Sequence, residues 1–475
     1  MVRMQLNFIA NARVPSASGR TLSVIDPSDG QPFEDIQRSN AQDVDDAVAA
    51  ARDGFDGVWS KVDAAERGRL LQRLSQAVGE HAGELGAIVQ QEAGKTTRQA
   101  TADVAALARS LAGHAAACAQ PQPVPAATPG GGHSLRWREP RGVTGHIIPW
   151  YEPLRIFGAT VGAALAAGNV CVVKPADETS LALLRVAQLA AEAGLPAGAL
   201  NVLTGYDQEV AEALARHKGV DHLSLTGSPP LVTLVQQAAA ERQCPVLIGG
   251  NDQSRGTGPQ IVFADADLDT AVPAIVQALL QGCGQGGAAG SHLLVERAIY
   301  EPMLDRLAGA FEALRVGPAH HDLDMGPLIR HGQQQRVWDF LSDADAAGMV
   351  VVAQGVVVDE APETGFYQAP TLLRDLPPDR SGALDAVAGP VLAAAPFDNE
   401  EELLERINGG TSAIAATTAR ATLWTGDADR PLRLARGLRC AHLTVNHHGG
   451  VEAAMAEGLD GTLAYTRLKT LVTRR

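Results

Sequence analysis

Apolar residues in the first quarter of the chain recur at the spacing of an amphipathic α-helix. Between residues 41 and 117 they fall three or four positions apart, with polar residues between them. Two stretches show the pattern most clearly: Val44, Ala47, Val48 and Ala51, and then Leu70, Leu71, Leu74 and Val78. Residues at these spacings share one face of a helix. The segment is therefore predicted to be helical.

Beyond residue 138, short β-rich runs alternate with helical stretches. In the first half, strands are predicted at 143–148, 170–173, 200–203 and 222–225, and helices at 159–167, 181–193 and 210–216. From about residue 246 to 427, the predicted strands are 261–264, 293–295 and 349–353, and the predicted helices 268–280 and 300–314. Strands separated by helices pair in parallel, because the helix returns the chain to the same edge. The fold class is therefore α/β, with a doubly wound, nucleotide-binding type of parallel sheet.

One segment interrupts this alternation. Residues 121–132 read PQPVPAATPGGG, with four prolines and three glycines. A helix interior does not tolerate such a run, whereas an edge strand or a connector does. A domain boundary or an exposed arm is predicted there.

Length and charge narrow the classes of function. A chain of 475 residues is too long for one hydrophobic core, so at least two domains are expected. The formal net charge is −15 without a long basic block, and such a surface repels nucleic acid and anionic membranes. No run approaches the roughly 18 apolar residues of a membrane span, and the N-terminus lacks the apolar stretch of a signal peptide. A soluble protein that binds neither nucleic acid nor membrane is predicted.

The cysteines and histidines show no disulfide or metal-binding pattern. The five cysteines are widely separated, form no CxxC pair and are odd in number: Cys118, Cys171, Cys244, Cys283 and Cys440. Reduced thiols and a cytoplasmic location are expected. His447 and His448 are adjacent, which is more typical of solvent-exposed residues than of metal ligands, and no metal site is predicted.

A series of short motifs runs through the chain. They are EPRGV at 139–143, IPW at 148–150, PL at 153–154, ALAAGN at 164–169, KPA at 174–176, TGS at 226–228, IVFADAD at 261–267, AGS at 289–291, GPV at 389–391 and AYT at 464–466. In this order they resemble the aldehyde dehydrogenase superfamily, from about residue 23 to 471. The resemblance implies a Rossmann-like cofactor domain, an α/β catalytic domain and a small β arm that pairs with a neighbouring subunit.

The resemblance also predicts the domain limits and the partners. Residues 1–120 and 138–245 would form the cofactor domain, residues 246–450 the catalytic domain, and residues 121–137 and 451–475 the oligomerisation arm. The arm implies a homo-dimer or tetramer, and a separate partner enzyme is a further candidate. Residues 252–258 extend a loop that borders the substrate tunnel in the family. They are either a harmless surface insertion or a pocket plug or partner loop.

The position of the family's nucleophile is altered. The catalytic cysteine stands in the motif N-x-G-Q-x-C-x-A-G-S/T, and this chain reads GCGQGGAAGS at 282–291. The flanking Gly-Gln and Ala-Gly-Ser define the alignment, so Gly287 occupies the cysteine's position and offers no nucleophile. Cys283 lies four residues upstream. It is either a substitute thiol activated by its surroundings or a half-buried structural thiol.

Two further positions of the reaction are altered. The family's general base is the glutamate of E-L-G-G-K, and the matching stretch begins with Leu247, which cannot accept a proton. The asparagine of P-W-N-F-P-L supplies part of the oxyanion hole, and here Tyr151 stands in its place. A phenol can donate a hydrogen bond, but its ring is expected to fill space that the substrate uses. Loss of one oxyanion donor alone lowers the rate about 10²–10³-fold.

The cofactor positions are mixed. Lys174 and Asp177 resemble the pair that holds the adenosine ribose in the family, and Trp150 also matches a family position. The turn of Thr226, Gly227 and Ser228 resembles the turn beneath the pyrophosphate. Two positions depart from the family: Val232 stands where a glycine lets the phosphates approach, and Ala386 replaces the glutamate of E-I-F-G-P-V. Binding of NAD or NADP is therefore expected to be weakened.

Three hypotheses follow from these positions. The first is a family member that has lost aldehyde oxidation and acts as a partner subunit, a scaffold or a small-molecule binder. The second is an active NAD(P)-dependent aldehyde dehydrogenase with a different nucleophile, such as Cys283. The third is a new reaction in the old tunnel, with Tyr151, Glu152 and His292 as acids or bases. The altered positions favour the first.

Overall fold

Two seven-stranded sheets carry the fold, and smaller sheets flank them. The computed structural model describes residues 3–118, 124–128, 132–249, 258–286, 289–377, 384, 387–408, 420–440, 442–448 and 459–473. One large hydrophobic cluster packs in each half of the chain, as expected for its length. The predicted α/β fold class is confirmed.

The chain begins with five short strands. They are β1 (Arg3–Met4), β2 (Asn7–Ile9), β3 (Ala12–Val14), β4 (Thr21–Asp26) and β5 (Gln31–Gln37). Strands β1, β5 and β4 form a small sheet in that order, while β2 and β3 join the first large sheet. These five strands lie before residue 41 and were not predicted from the sequence.

Four helices follow, where the apolar spacing predicts them. They are α1 (Ala41–Asp56), α2 (Ala64–Glu80), α3 (Ala82–Ala93) and α4 (Thr97–Ala117). Asn40 caps α1 by accepting backbone N–H groups of Gln42 and Asp43, and the Asp43 carboxylate accepts the Asn40 N–H in return. Helix α3 ends at Gly94, whose φ of 66° lies in the left-handed region. The chain therefore turns sharply through Lys95 into α4.

The first large sheet is doubly wound. Its elements and those of the arm are β6 (Val124–Thr128), β7 (Gly132–Pro140), β8 (Val143–Ile148), α5 (Pro153–Phe157), α6 (Ala163–Ala166), β9 (Val170–Pro175), α7 (Leu181–Glu192), β10 (Leu200–Val202), α8 (Glu212–Arg216), β11 (His222–Leu225), α9 (Pro229–Ala240) and β12 (Val246–Ile248). The strand order is β12-β11-β8-β9-β10-β2-β3, and β8 to β12 are mutually parallel. The winding direction reverses between β8 and β11, and a ligand crevice forms at such a reversal.

The second large sheet follows the same principle. Its half of the chain contains β13 (Gln260–Val262), α10 (Leu268–Leu280), β14 (His292–Glu296), α11 (Tyr300–Glu312), β15 (Arg315–Val316), α12 (His331–Ala346), β16 (Val350–Gln354), β17 (Val356–Val357), β18 (Thr371–Arg374), β19 (Val391–Phe397), α13 (Glu400–Asn408), β20 (Arg420–Trp424), α14 (Arg430–Gly437), β21 (His442–Val445), α15 (Leu459–Ala464) and β22 (Thr466–Thr473). The order is β16-β18-β19-β14-β13-β20-β21, and only the edge strand β16 is antiparallel to its neighbour.

The Pro-rich segment and the C-terminal end meet in a separate antiparallel sheet. Its order is β22-β7-β6, and Thr466 to Thr473 pair with Pro140 to His133. Pro125 lies in β6, an edge strand, where a missing N–H is tolerated.

Two of the domain limits predicted from the sequence differ by a few residues from the ends of the observed elements. Strand β7 extends the arm to Pro140, three residues past the predicted limit at 137, and β12 belongs to the first large sheet although it follows residue 245.

All five cysteines are free thiols. None of the described helices combines the length and the apolar character that a membrane crossing needs.

Candidate functional site

A cavity of about 430 Å³ lies between elements of the two halves. The first half contributes the start of α4 and the segment after β8, and the second half contributes α10, the turn after it and His448. The described lining residues are Lys95, Arg98, Gln99, Ala102, Asp103, Tyr151, Glu152, Arg155, Ala274, Gln277, Ala278, Gln281, Gly282, Gly286, Ala289 and His448. Residues far apart in the chain thus meet at one site, which has the size of a small-molecule pocket.

The altered reaction positions relate to this cavity in different ways. Gly287 lies outside the described residues, but Gly286 and Ala289 on either side of it border the cavity. Leu247 lies in β12, half-buried against the core of the first half, and is not among the described lining residues. No proton acceptor therefore stands at position 247.

Tyr151 borders the cavity with its ring. The ring lies edge-on to Trp150, with 5.6 Å between the ring centroids, and its Cδ2 is 3.9 Å from where a Cβ on Gly286 would lie. Burial raises the pKa of the Tyr151 phenol, so the hydroxyl stays protonated at neutral pH. It can donate a hydrogen bond, but it does not act as a base there.

Cys283 is buried behind the cavity wall. Only 2% of the residue is exposed, and it is not among the described lining residues. Its Sγ donates to the carbonyl oxygens of Gly326 at 3.5 Å and Pro327 at 3.3 Å. Burial raises the pKa of the thiol to about 12, which leaves it protonated and unreactive at neutral pH. This geometry supports the interpretation of Cys283 as a structural thiol over that of a substitute nucleophile.

A buried ion pair forms part of the cavity wall. The Lys95 ammonium donates to the Asp103 carboxylate, and their side chains are 7% and 12% exposed. Lys95 comes from the turn between α3 and α4, and Asp103 from the second turn of α4. The two charges neutralise each other inside the wall.

Two residues named in the third hypothesis lie in different places. Glu152 lines the cavity beside Tyr151. His292 is fully buried in β14 and is not among the described lining residues, so the structure does not place it at the cavity.

His448 lies at the cavity, whereas the adjacent His447 is exposed, so the expected exposure of the pair holds only for His447. The Gln260 Nε2 and His448 Nδ1 are 2.8 Å apart, and the Gln260 Oε1 accepts the indole N–H of Trp424 at 3.0 Å. Because an indole nitrogen only donates, the amide nitrogen of Gln260 must donate to Nδ1. The neutral His448 ring therefore carries its proton on Nε2. The described residues contain no group of three or more side chains arranged to hold a metal ion.

A second candidate site lies at the carboxyl edge of the first large sheet, at the crevice between β8 and β11. Lys174 is the second-to-last residue of β9; its side chain is fully buried, and its ammonium pairs with the Asp207 carboxylate. Burial raises the pKa of the nearby Asp177, against the attraction of Lys174. Asp207 was not predicted from the sequence, because an acidic residue 33 positions from Lys174 has no local signal.

Helix α9 begins where a dinucleotide's pyrophosphate would approach. Ser228 precedes it, exposed and without a side-chain capping bond, and Pro229 and Pro230 take its first two positions. Anions bind to the unpaired N–H groups of a first helical turn, and proline has none. Val232 is buried in the core of the first half, so the glycine space is filled by a side chain. The start of α9 therefore does not fit a pyrophosphate.

Thr226 and Gly227 form the turn into α9 as the sequence predicts, and Trp150 follows β8 on the other side of the reversal. The predicted cofactor residues therefore lie along one edge of the sheet. Ala386 lies outside the described residues.

Comparison with known proteins gives consistent results. The sequence model of the "Aldehyde dehydrogenase family" matches residues 14–460. Hydroxyisobutyraldehyde dehydrogenase of Mycolicibacterium austroafricanum is 34% identical over 477 residues, which cover 98% of this chain and 92% of that protein. Human retinal dehydrogenase 2 is 31% identical, with 94% of this chain and 85% of that protein covered.

Solved structures agree with these sequence matches. A putative aldehyde dehydrogenase from Burkholderia cenocepacia is 51% identical, with a TM-score of 0.94 and 99% of each chain covered. The NAD+ complex of the aldehyde dehydrogenase from Bacillus cereus is 28% identical, with a TM-score of 0.91 and coverage of 99% of this chain and 96% of that one.

Proposed function

The chain belongs to the aldehyde dehydrogenase family, and on that premise we propose that it binds a small molecule without oxidising aldehydes through a cysteine thiolate. The cavity is the binding site in this proposal. The observation that carries it is that no thiol is among the described residues that line the cavity.

The thiol chemistry of the family needs a nucleophile and a base at the end of the tunnel. Here the sequence has Gly287 at the first position and Leu247 at the second. Cys283 is close in sequence, but its thiol donates to backbone carbonyl groups, and burial raises its pKa to about 12. A nucleophile that stays protonated and buried cannot start the covalent pathway. Tyr151 and Glu152 remain at the cavity as groups that hydrogen-bond a ligand.

The second candidate function is an active NAD(P)-linked aldehyde dehydrogenase. The comparisons favour it more directly, because the relatives are named as dehydrogenases, one related structure holds NAD+, and nothing in them indicates lost activity. It requires Cys283 to leave its buried position, or another group to replace it. It also requires NAD or NADP to bind although α9 begins with two prolines.

An assay with a broad aldehyde panel separates the two candidates. Purified protein is incubated with each aldehyde and NAD+ or NADP+, and the absorbance of the reduced nicotinamide is followed. We expect no turnover for the wild type or for Cys283→Ser. Turnover that disappears in Cys283→Ser, but not in the control Cys440→Ser, would establish the second candidate. Turnover that persists in both variants would overturn the first proposal and leave the nucleophile to be found elsewhere.

We also propose that the chain assembles through the β22-β7-β6 sheet. Apolar side chains are exposed on both faces of this sheet: Leu471 and its partner Leu135 on one, and Leu468 and Val472 on the other. A small sheet with two exposed apolar faces is typical of an interaction surface. A homo-dimer or tetramer would cover it.

A further inference from the structure

The described lining of the cavity contains no large aliphatic side chain. Its described apolar lining consists of glycines, alanines and the ring of Tyr151, without a Leu, Ile, Val, Phe or Met among the described lining residues. Burial of hydrocarbon against large side chains drives the binding of apolar molecules. A long aliphatic molecule finds no such side chain among the described residues, whereas charged and amide side chains of the lining are available to a polar ligand.

The charged groups of the lining favour an anion. Three cations, Lys95, Arg98 and Arg155, stand with two anions, Asp103 and Glu152. Lys95 and Asp103 neutralise each other as a buried pair. Three cations against two anions leave the described lining with one net positive charge, in a chain whose formal net charge is −15. A local excess of positive charge in a concave site of an acidic protein concentrates small anions there.

Arg98 is placed to contact such an anion. It lies in the first turn of α4, where its backbone N–H donates to the Asp322 carboxylate at 3.1 Å and holds the turn. Its side chain is exposed and has no ion-pair partner among the described residues. A guanidinium presents parallel N–H donors that match the two oxygens of a carboxylate.

Helix α10 and the turn after it supply uncharged polar groups. Gln277 comes from α10 and Gln281 from the turn that follows it, and both line the cavity. A primary amide both donates and accepts hydrogen bonds, so these side chains can bind hydroxyl or carbonyl groups of a ligand. Together with Arg98, these amides suit a short, polar molecule.

We infer that the cavity binds a small molecule that carries a carboxylate, with Arg98 paired to the carboxylate at the mouth and the glutamine amides bound to its polar body. The inference deepens the proposed binding function and rests on it.

Calorimetric titration of the full-length protein tests the inference with three probes of small size. Succinate carries the carboxylates, succinamide has the same skeleton without charge, and benzaldehyde is apolar. We expect succinate to bind at least about tenfold more tightly than succinamide, since hydrogen bonds to charged groups contribute more than neutral ones. We also expect the succinate affinity to fall as salt is added, because Arg98 is exposed and its charge is screened. Benzaldehyde is expected to bind most weakly.

Arg98→Gln isolates the proposed contact. It should reduce the preference for succinate over succinamide about tenfold while leaving the thermal unfolding temperature unchanged. Arg109→Gln is the matched control, because Arg109 is exposed on the same helix and does not line the cavity. Its succinate affinity should equal that of the wild type.

Several outcomes would overturn the inference: no measurable succinate binding, equal affinity for succinate and succinamide, tightest binding of benzaldehyde, or an Arg98→Gln variant that binds like Arg109→Gln. These outcomes are distinct from failure of the proposed function. Aldehyde turnover together with Arg98-dependent succinate binding would refute the non-oxidising proposal and leave the ligand class intact.

Discussion

Burial controls the chemistry of single side chains in this protein. Cys283 and Glu92 carry groups that are reactive or charged in water, yet both lie in the interior. Burial raises the pKa of the Cys283 thiol to about 12 and that of the Glu92 carboxyl to about 8. In both cases the low-polarity surroundings disfavour the charged form. At the residue scale, burial therefore decides how readily these two side chains lose their protons.

Glu92 provides a test of this effect at a site away from the cavity. Its carboxyl oxygens accept the backbone N–H groups of Leu181 at 2.8 Å and Ala182 at 3.3 Å, at the start of α7. The pKa rises from 4.5 in the unfolded chain to about 8, because desolvation exceeds these hydrogen bonds and the attraction of Lys95. The folded protein thus holds the proton more tightly. Its stabilising contribution is complete below pH 4.5 and is lost as the pH rises through about 8.

Glu92→Gln should remove this pH dependence, since an amide keeps an acceptor oxygen but does not titrate. The free energy of unfolding of the variant, minus that of the wild type, should increase between pH 4.5 and about 8. The slope should be at most about 1.4 kcal/mol per pH unit. Urea denaturation across this range measures it, with the exposed Glu80→Gln as control. Curves for wild type and Glu92→Gln that stay parallel would contradict the prediction.

At the scale of elements, the start of α9 lacks two backbone N–H groups at the place where the pyrophosphate of a dinucleotide would approach. The β8 and β11 strands and the reversal between them provide the crevice, and Lys174 and Asp177 stand at its edge. Helix α9 follows β11 directly, but its first two positions are prolines. The fold thus supplies the geometry for an anion, while the backbone lacks two of the N–H groups that would bind it.

Restoring these N–H groups should raise cofactor affinity. We expect the double variant Pro229→Thr, Pro230→Ala to bind NAD at least about tenfold more tightly than the wild type, because each hydrogen bond to a charged group contributes about 1.5–3 kcal/mol. Calorimetric titration of NAD measures the change in affinity directly, and it does not require the protein to turn over a substrate. Pro302→Thr is the control, since Pro302 is an exposed proline in the first turn of α11. Equal NAD affinity in the double variant and the wild type would show that α9 does not limit binding.

At the scale of the whole molecule, contacts between distant segments hold the parts in place. Arg330 of the second half pairs with Glu178 of the first at 2.5 Å, and the Tyr367 hydroxyl donates to the Ser28 carbonyl at 2.6 Å. Near the C-terminus, the Tyr465 hydroxyl donates to the Ser224 Oγ at 2.9 Å and anchors β22 to the first large sheet. The arm is therefore fixed to its own subunit at one end and exposes apolar strands beyond it.

Charged residues on the arm should block assembly. We expect the double variant Leu468→Asp, Val472→Asp to be monomeric, since the two side chains are each 58% exposed and would be buried in an interface. Light scattering coupled to size exclusion measures the mass of the wild type and the variant. Val58→Asp is the control, because Val58 is 60% exposed outside the arm. A monomeric wild type, or a double variant with the mass of an oligomeric wild type, would contradict the assembly proposal.

The pattern of the sequence alone predicted much of the framework. Apolar spacing placed α1, α2 and α10, and the alternation of strands and helices predicted two α/β halves. These features depend on residues a few positions apart, so a linear pattern contains them. The same is true of the missing cysteine at position 287, since the motif on both sides of it is local. The helix before β9 was predicted too short, because it starts at Pro153 and passes through a wider π turn at Gly158–Gly162.

The arrangement of side chains at the site depends on how distant segments pack, which the sequence pattern did not predict. The pairing of Lys174 with Asp207, the burial of Cys283 against Gly326 and Pro327, and the approach of His448 to the cavity all join residues distant in the chain. No local spacing encodes such contacts, because they arise when separate elements pack together. Reactivity and charge depend on what surrounds a group in space, and the order of residues along the chain does not specify those surroundings.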